Sequence, residues 1–529
     1  MFILKYVHSN LAFRADRFTL KLCNSQAQPR WTPTGRRHPD IAELQGADTS
    51  ICIWKNDPDI SGAFFSLSRA GFSLPADKYT NNSPYRPTTP SPKGSVHMTQ
   101  SIAANQAAAI EWRRALHRCP QPAWLELFAT AFIAEKLAAW GYEIKMGRDI
   151  IPADKQFMPP DPEQLAAAYA QAVKAGASEK YLAPAADGHT GVVAILRGAL
   201  PGPTVGFRFD IDANETSETT DPAHRPVREG FASVNPGCAH MCGHDAHAAI
   251  GLLLAKHFAD NRATLRGAVK ILFQPNEENL GGAAALVASG HLDDLDYLFS
   301  GHVGIAAKET GHLCLNVHSF MALSRFEITY TGRPIHAALR PDQGNNALLG
   351  SCAAITNLYA IARHGLGASR INVGYHTAGT TWNVIPDKAY FRFETRGVTN
   401  EINAYMVEKA HEIIRGAAQM YGLGVEIKPA AVAGVAENSP ALLALAEKVA
   451  AGLPSVKHIL PAVAFNASED VTLLMQHVQN RGGQALVALF GTPLGGGHHN
   501  AAFDIDEQVI PNAAEFLAAM YDAVQGDRP

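Results

Sequence analysis

The sequence predicts an α/β protein: a mostly parallel sheet covered by helices, interrupted by a smaller inserted α+β domain with ferredoxin-like element order. Three observations predict it. Beyond residue 190, short apolar strand-like runs alternate with helical ones, the pattern left by helices that cross over a parallel sheet. Between Val317 and Pro429 the order becomes strand, helix, strand, strand, helix, strand, which suits a small sheet with two helices on one face. At 529 residues the chain is also too long for one compact core. The body is therefore expected over 98–316 and 430–529, with the insert at 317–429.

Residues 1–97 mix Arg, Pro, Ser and Asn with scattered aromatics, as in "NNSPYRPTTPSPKGS", and hold no lasting period of 2 or 3.6. They read as a poorly ordered extension, or as residues upstream of a true start at Met98. "NQAAAIEWRRALHRCP" and "LELFATAFIAEKLAAWGY" are amphipathic helices parted by Pro120 and Pro122. "PEQLAAAYAQAVKAGA" adds a helix inside a polar, Pro-containing stretch over 148–190. Strands "TGVVAILRG" and "TVGFRFDID" follow, then helix "AHAAIGLLLAKHFADN", strand "GAVKILFQP", helix "GGAAALVASG", strand "LDYLFSGHV" and, much later, strand "QALVALFG". In the insert, "SRFEITYTG", "RINVGYHTAG", "KAYFRFETR" and "GVEIKP" read as strands. "NNALLGSCAAITNLYAIARHG" and "EINAYMVEKAHEIIRGAAQMYG" read as its helices.

Composition narrows the function. With 47% apolar and 18% charged residues the chain has the balance of a globular protein. A formal charge of −4 shows no basic excess, which argues against nucleic acid or an anionic membrane surface as partner. Seven cysteines without regular spacing argue against a disulfide framework and for a reducing compartment, the cytoplasm. No apolar stretch reaches the roughly 20 residues of a membrane-spanning helix, and "MFILKYVHSNLAFRADRF" lacks the form of a secretory signal.

"MCGHDAHAAIGLLLAKHF" crowds Cys242, His244, Asp245 and His247 at a helix entrance. Singly, a buried cysteine is usually a small hydrophobe, and a Glu pair after a strand is usually a solvated loop. Convergence changes the reading. "KILFQP" runs into Asn276, Glu277 and Glu278, "LDYLFSG" into His302, and "ALVALFGTPLGGG" into His498 and His499. Each cluster follows the carboxyl end of a strand, where open α/β sheets bind ligands. Cys242, His244, Glu278, His302 and one late histidine can therefore meet in one pocket. A thiolate, imidazoles and a carboxylate suit Mn²⁺, Zn²⁺ or Co²⁺ rather than Ca²⁺. Two such ions about 3.5–4 Å apart can generate hydroxide and clamp a tetrahedral intermediate. Amide hydrolysis follows, with one carboxylate of Glu277 and Glu278 ligating and its neighbour carrying the proton. His240 and His247 are expected behind the ligands or in packing, and a zinc finger is excluded because no second Cys pair has finger spacing.

"MCGHDAH", "ILFQPNEEN", "GHVG", "GRPIHAALRPDQGNNAL" and "HHNAAFDIDE" resemble the dinuclear metallopeptidases and amidohydrolases of peptidase family M20, which include aminoacylases, carboxypeptidase G and plant auxin-conjugate hydrolases. The likeness runs from about Ala103 to the C-terminus. It narrows to the aminobenzoyl-glutamate utilization A group on "EWRRALHRCPQPAWLE", the polar stretch over 148–190, "AHRPVREGFASVNPG", "ASRINVGYHTAGT" and "FGTPLGGGHHN". The resemblance implies Cys242, His244, Glu278 and His302 as metal ligands and Glu277 as general base. It selects His499, four residues before Phe503, as the last ligand, with His498 the alternative. It implies that His336 crosses from the partner subunit to stabilise the oxyanion and that Asn383 in "TWNVIP" helps bind substrate. Arg396 in "FETRG" is a candidate fork for a substrate carboxylate, or a strand-end surface arginine. Asp210 and Asp212 are expected to support the site rather than ligate. Asn276 and Asn500 stand where the family commonly has Ala and Pro, and neither change removes a ligand.

The expectation is a cytoplasmic metal-dependent amidohydrolase with two divalent ions per subunit, Mn²⁺ foremost and Zn²⁺ or Co²⁺ as alternatives. Its foremost substrate is p-aminobenzoyl-glutamate, a small molecule cut to p-aminobenzoate and glutamate. The resemblance implies pairing through the insert, as a homodimer or with a related B-type subunit. The rivals are a hydrolase of indole-acetyl or N-acetyl amino acids and a non-catalytic metal-binding subunit; the presence of Glu277 and every ligand speaks against the latter.

Overall fold

The computed structural model describes residues 18–23, 50–55 and 95–525. In the unit Met1–Thr89, the strands Phe18–Cys23 and Ser50–Lys55 pair antiparallel. The rest of the expected extension, up to Ser95, lies outside the described residues.

In the unit Pro90–Pro529, four central strands lie side by side and parallel: Gln484–Phe490, Tyr297–Val303, Leu200–Asp210 and Arg266–Gln274. Their apolar runs are continuous because both faces are covered. The alternation in the neighbouring strand Val192–Arg197 shows how. Val192, Ala194 and Leu196 pack into the layer formed by the helices Ser95–Arg118, Leu127–Ala139, His244–Asp260 and Val509–Val524. Val193 and Ile195 pack with the opposite layer, built on Gly282–Ala288 and Val471–Asn480. The helix His244–Asp260 is buried around most of its surface. Gly251 makes this possible, since a Cβ there would lie 2.6 Å from the Phe209 ring.

The parallel order stops at the edges. Val192–Arg197 and Glu143–Lys145 are antiparallel additions, and His312–Cys314 pairs antiparallel with Gln484–Phe490. Only Gly198 and Ala199 separate Val192–Arg197 from Leu200–Asp210, too short a link for a parallel crossover. The three-residue edge strands His312–Cys314 and His458–Leu460 carry too little periodicity to be read from sequence.

The second sheet has the order Ser369–Ala378, Lys388–Gly397, Ala322–Thr331, Gly424–Ala433 and is antiparallel throughout. In Lys388–Gly397, Ala389, Phe391, Phe393 and Thr395 point inward. With Ile328 and Tyr330 they meet Ala354 and Leu358 of Ala347–Tyr359, and Met406, Ala410 and Ile414 of Asn400–Met420. The first of these helices is shorter than its sequence pattern suggests: it stops at Tyr359, after which Ile361 folds onto the core and the Gly365 and Gly367 segment is loop. Cys119, Cys238, Cys242, Cys314 and Cys352 are free thiols. Among the described residues no helix is long and apolar enough to cross a membrane.

Candidate metal centre

The four parallel strands end together at Asp210, Gln274, Val303 and Phe490, and the chemically active side chains gather on that edge. Cys242 and His244 arrive at the start of the helix His244–Asp260 because Gly243 between them takes φ +96°. A Cβ at Gly243 would lie 2.5 Å from Val303 Cγ2, so only glycine lets both neighbours face the sheet edge. Glu277 and Glu278 follow Arg266–Gln274 on a turn in which Asn276 has φ +52°. His302 is the penultimate residue of Tyr297–Val303. His498 and His499 lie in the loop between the short paired strands Leu494–Gly495 and Asp504–Ile505, with His499 N–H donating to the Met241 carbonyl at 2.8 Å.

Hydrogen bonds decide which ring nitrogens are free to ligate. His244 donates from Nδ1 to the Asp212 carbonyl at 3.0 Å, leaving a buried Nε2 with no hydrogen-bond partner. Glu278 Oε1 is likewise buried and unpartnered, 4.0 Å from that nitrogen. His302 donates from Nδ1 to the Val303 carbonyl at 2.8 Å, so its Nε2 lone pair faces Cys242 Sγ at 3.3 Å. One ligand atom each from Cys242, His244 and Glu278 lies within 4.8 Å of the others, as do those of Cys242, His302 and His498. Unpartnered buried donors of these types are what a divalent ion requires. The described residues fit a divalent metal centre.

His247 and His498 are occupied. His247 Nε2 accepts from Val303 N–H at 3.0 Å while Nδ1 bonds Asp210. His498 Nε2 accepts from Ile305 N–H at 3.0 Å, which puts the proton of the neutral ring on Nδ1, 3.7 Å from Cys242 Sγ. That arrangement supports a thiolate rather than a metal bond. His499 Nε2 instead faces Glu278 Oε2 at 3.4 Å on the open side of the site. His240 is buried with Nδ1 unpartnered, and burial pushes it down to about 3.

At His244 the surrounding carboxylates favour positive charge. Although burial opposes it, Asp210 and Asp212 hold His244 well above the usual imidazole range. Burial raises the Cys242 thiol to about 12, so a cation must replace its proton for the thiolate to form. Against the upward push of burial, His499 and His244 hold Glu278 down to about 2. Glu277 is the opposite case: burial, then Glu469, Glu278 and Asp470, drive it well above the carboxylate range. Two neighbouring carboxyl groups thus have opposed proton affinities, the separation that acid–base roles need.

Asp212 anchors His244 and also accepts Glu278 N–H at 2.9 Å, while Asp210 holds His247 and Arg208. Sequence reasoning missed Arg208, Glu469 and Asp470. Arg208 is 2% exposed and binds Asp210 at 2.8 Å, Asp470 at 3.1 Å and Glu469 at 3.2 Å. The only signal was the acid pair in "NASED" before the apolar run "VTLLMQHV", which reads equally well as a solvated helix start. The remaining predicted residues lie on the second sheet's domain. His336 and Asn383 are exposed, joined where Ala337 N–H donates to the Asn383 carbonyl at 2.9 Å. Arg396 is bound by Glu394 of its own strand at 2.8 Å. Among the described residues no hydrogen bond or ion pair joins these three to the ligand cluster of the same chain. A cavity of about 390 Å³ near Asn400, Asn403 and Gln476 contains none of the predicted site residues.

Residues 206–523 match the sequence profile of peptidase family M20/M25/M40. Indole-3-acetyl-aspartic acid hydrolase of Enterobacter agglomerans is 44% identical over 77% of this chain and 94% of its own. The A-type subunit of the p-aminobenzoyl-glutamate hydrolase of Escherichia coli strain K12 is 41% identical over 77% and 93%. The crystal structure of an aminobenzoyl-glutamate utilization protein from Klebsiella pneumoniae superposes with a TM-score of 0.68 at 35% identity, covering 80% of this chain and 97% of that one.

Proposed function

The chain belongs to peptidase family M20/M25/M40 and is a metal-dependent amidohydrolase, and from that premise we propose that it cleaves p-aminobenzoyl-glutamate to p-aminobenzoate and glutamate. The observation that carries the reading is the pair of buried, unpartnered ligand atoms His244 Nε2 and Glu278 Oε1, with Glu277 Oε2 3.8 Å from that nitrogen. The two related hydrolases are named for amides joining an aromatic acyl group to an acidic amino acid, which supports that substrate class.

In this reading Cys242, His244, Glu278, His302 and His499 would hold two divalent ions, Mn²⁺ foremost. When bound, such ions supply Lewis acidity to the substrate carbonyl and acidity to water. Glu277 takes a proton from the attacking water as its oxygen bonds the acyl carbon. It then passes that proton to the amide nitrogen as the C–N bond breaks. Cys242 is kept as thiolate with the aid of the His498 Nδ1 proton. His336, exposed and not bonded to the ligand cluster of its own chain among the described residues, is assigned to the oxyanion of a partner subunit's site. Asn383 lies beside it, and Arg396, on exchanging Glu394 for substrate, offers a fork for the glutamate carboxylate. The partner is a second copy or a B-type subunit, and the free thiols support a cytoplasmic setting.

The 44% relative gives the indole-acetyl-aspartate amide a claim as an alternative substrate. The test is release of p-aminobenzoate from p-aminobenzoyl-glutamate by protein loaded with Mn²⁺, beside the indole conjugate, with and without a B-type subunit. Preference for the first substrate supports the proposal; preference for the second moves it to the indole conjugate; silence on every amide overturns it.

A further inference from the structure

We infer that Glu126 is a positioning residue that aims the Asn276–Glu278 turn, and through it the general base Glu277; this rests on the proposed role of Glu277. Glu126 lies outside the matched residues 206–523, immediately before the helix Leu127–Ala139. It is 0% exposed, and among the described residues no Lys, Arg or His forms an ion pair with it. A buried carboxyl group with no cation beside it needs hydrogen-bond partners, and Glu126 has two. Its Oε1 accepts Asn276 N–H at 2.8 Å, and its Oε2 accepts the Thr190 hydroxyl at 2.6 Å.

The Asn276 bond falls where the chain is least regular. Pro275 has no N–H, so Asn276 carries the first donor after the strand Arg266–Gln274, and its φ of +52° is unusual for a residue with a side chain. Its carbonyl receives Gly281 N–H at 3.0 Å and Gly282 N–H at 3.1 Å. Two residues on, Glu278 N–H is held by Asp212. The turn is thus fixed from several sides, and Glu126 supplies the only one of these anchors that comes from the N-terminal helices. Glu277 Oε2, carried between the anchored residues, sits 3.8 Å from His244 Nε2. Its aim depends on the backbone staying in this conformation.

The test uses the full-length, metal-loaded protein. Misplacement of about 1 Å costs on the order of 100-fold in rate, so Glu126→Ala is expected to lose about 100-fold in kcat with KM within about threefold. Glu126→Gln can still accept Asn276 N–H through its amide oxygen while its NH₂ donates to Thr190 Oγ, and is expected to keep kcat within about tenfold. Hydrogen exchange of the peptide spanning 272–284 should accelerate in Glu126→Ala and not in Glu126→Gln. A role confined to stability predicts a lower Tm with unchanged kcat per metal-loaded molecule, and that result overturns the inference; so does a Gln variant as impaired as the Ala one. If Glu126→Ala does not fold, Thr190→Val, which removes the second anchor, decides: faster exchange at 272–284 with reduced kcat supports the role, and unchanged values overturn it. If the wild type cleaves no amide, the proposed function fails by itself, and the exchange measurement still decides whether Glu126 holds the turn.

Discussion

Replacing Arg113 by methionine tests whether the start of the helix His244–Asp260 is held in place by charge. Arg113 is 0% exposed in the helix Ser95–Arg118, with Nε 2.6 Å from Asp245, Nη2 3.1 Å from Asp504 and Nη1 3.3 Å from Glu507. Asp504 and Glu507 have Arg225, and Glu507 also has Arg114. Among the described residues Asp245, adjacent to His244, has one other ion-pair partner, His117, at 2.8 Å. Burial alone would raise the Asp245 carboxyl, yet Arg113 and His117 hold it well below its ordinary value. Methionine fills the volume but strands that charge, and breaking a buried pair on one side costs about 3–5 kcal/mol. For a unit of about 440 residues the unfolding entropy is about 0.9 kcal/mol/K, so Tm should fall by about 4 °C. Thermal unfolding at neutral pH reads this directly. Adding Asp245→Asn removes the stranded charge and should restore at least about half of the loss. A Tm change under about 1 °C, or a double variant that loses the sum of both single effects, refutes the argument that an unpaired charge causes the defect.

Glu277→Gln should lose about 10²–10⁴-fold in amide hydrolysis while binding Mn²⁺ as the wild type does; loss of metal in parallel would make Glu277 a ligand instead. His499→Ala should weaken metal binding, read by chelator competition, more than His498→Ala, whose partner-level effect is about 10–100-fold; the reverse order would make His498 the ligand. His257 is buried with both ring nitrogens unpartnered, and burial, partly offset by Asp260, lowers it from 6.5 to about 4. The folded state then binds fewer protons than the unfolded one between those values, so stability falls as pH drops through that window, by about 3 kcal/mol at its end. His257→Leu should lose less Tm than the wild type between pH 7 and about 4.5; equal losses would show that another group governs the acid response.

The chemistry-bearing residues were legible because they are local. "MCGHDAH" brackets Gly243, and "ILFQPNEEN" and "LDYLFSGHV" each join a strand to a donor, so strand period and donor type suffice to place Cys242, His244, Glu277, Glu278 and His302 at one sheet edge. The alternating pattern of "KAYFRFETR" likewise announces its buried face. The antiparallel edges were not legible, since they depend on a two-residue link and on three-residue strands. Nor were the partners that hold the site. Glu126 and Asn276 are 150 residues apart, Arg113 and Asp245 132, Arg208 and Asp470 262. In sequence each of those acids and arginines resembles a surface charge, and only folding removes the water that makes it one. Residue types and strand ends are enough to name the candidates for binding metal and moving a proton. The tertiary structure alone decided which ring nitrogens are free, which carboxylates are forced to hold or release protons, and which buried charges fix them there, because those properties arise from desolvation and from neighbours that the chain brings together only when it packs.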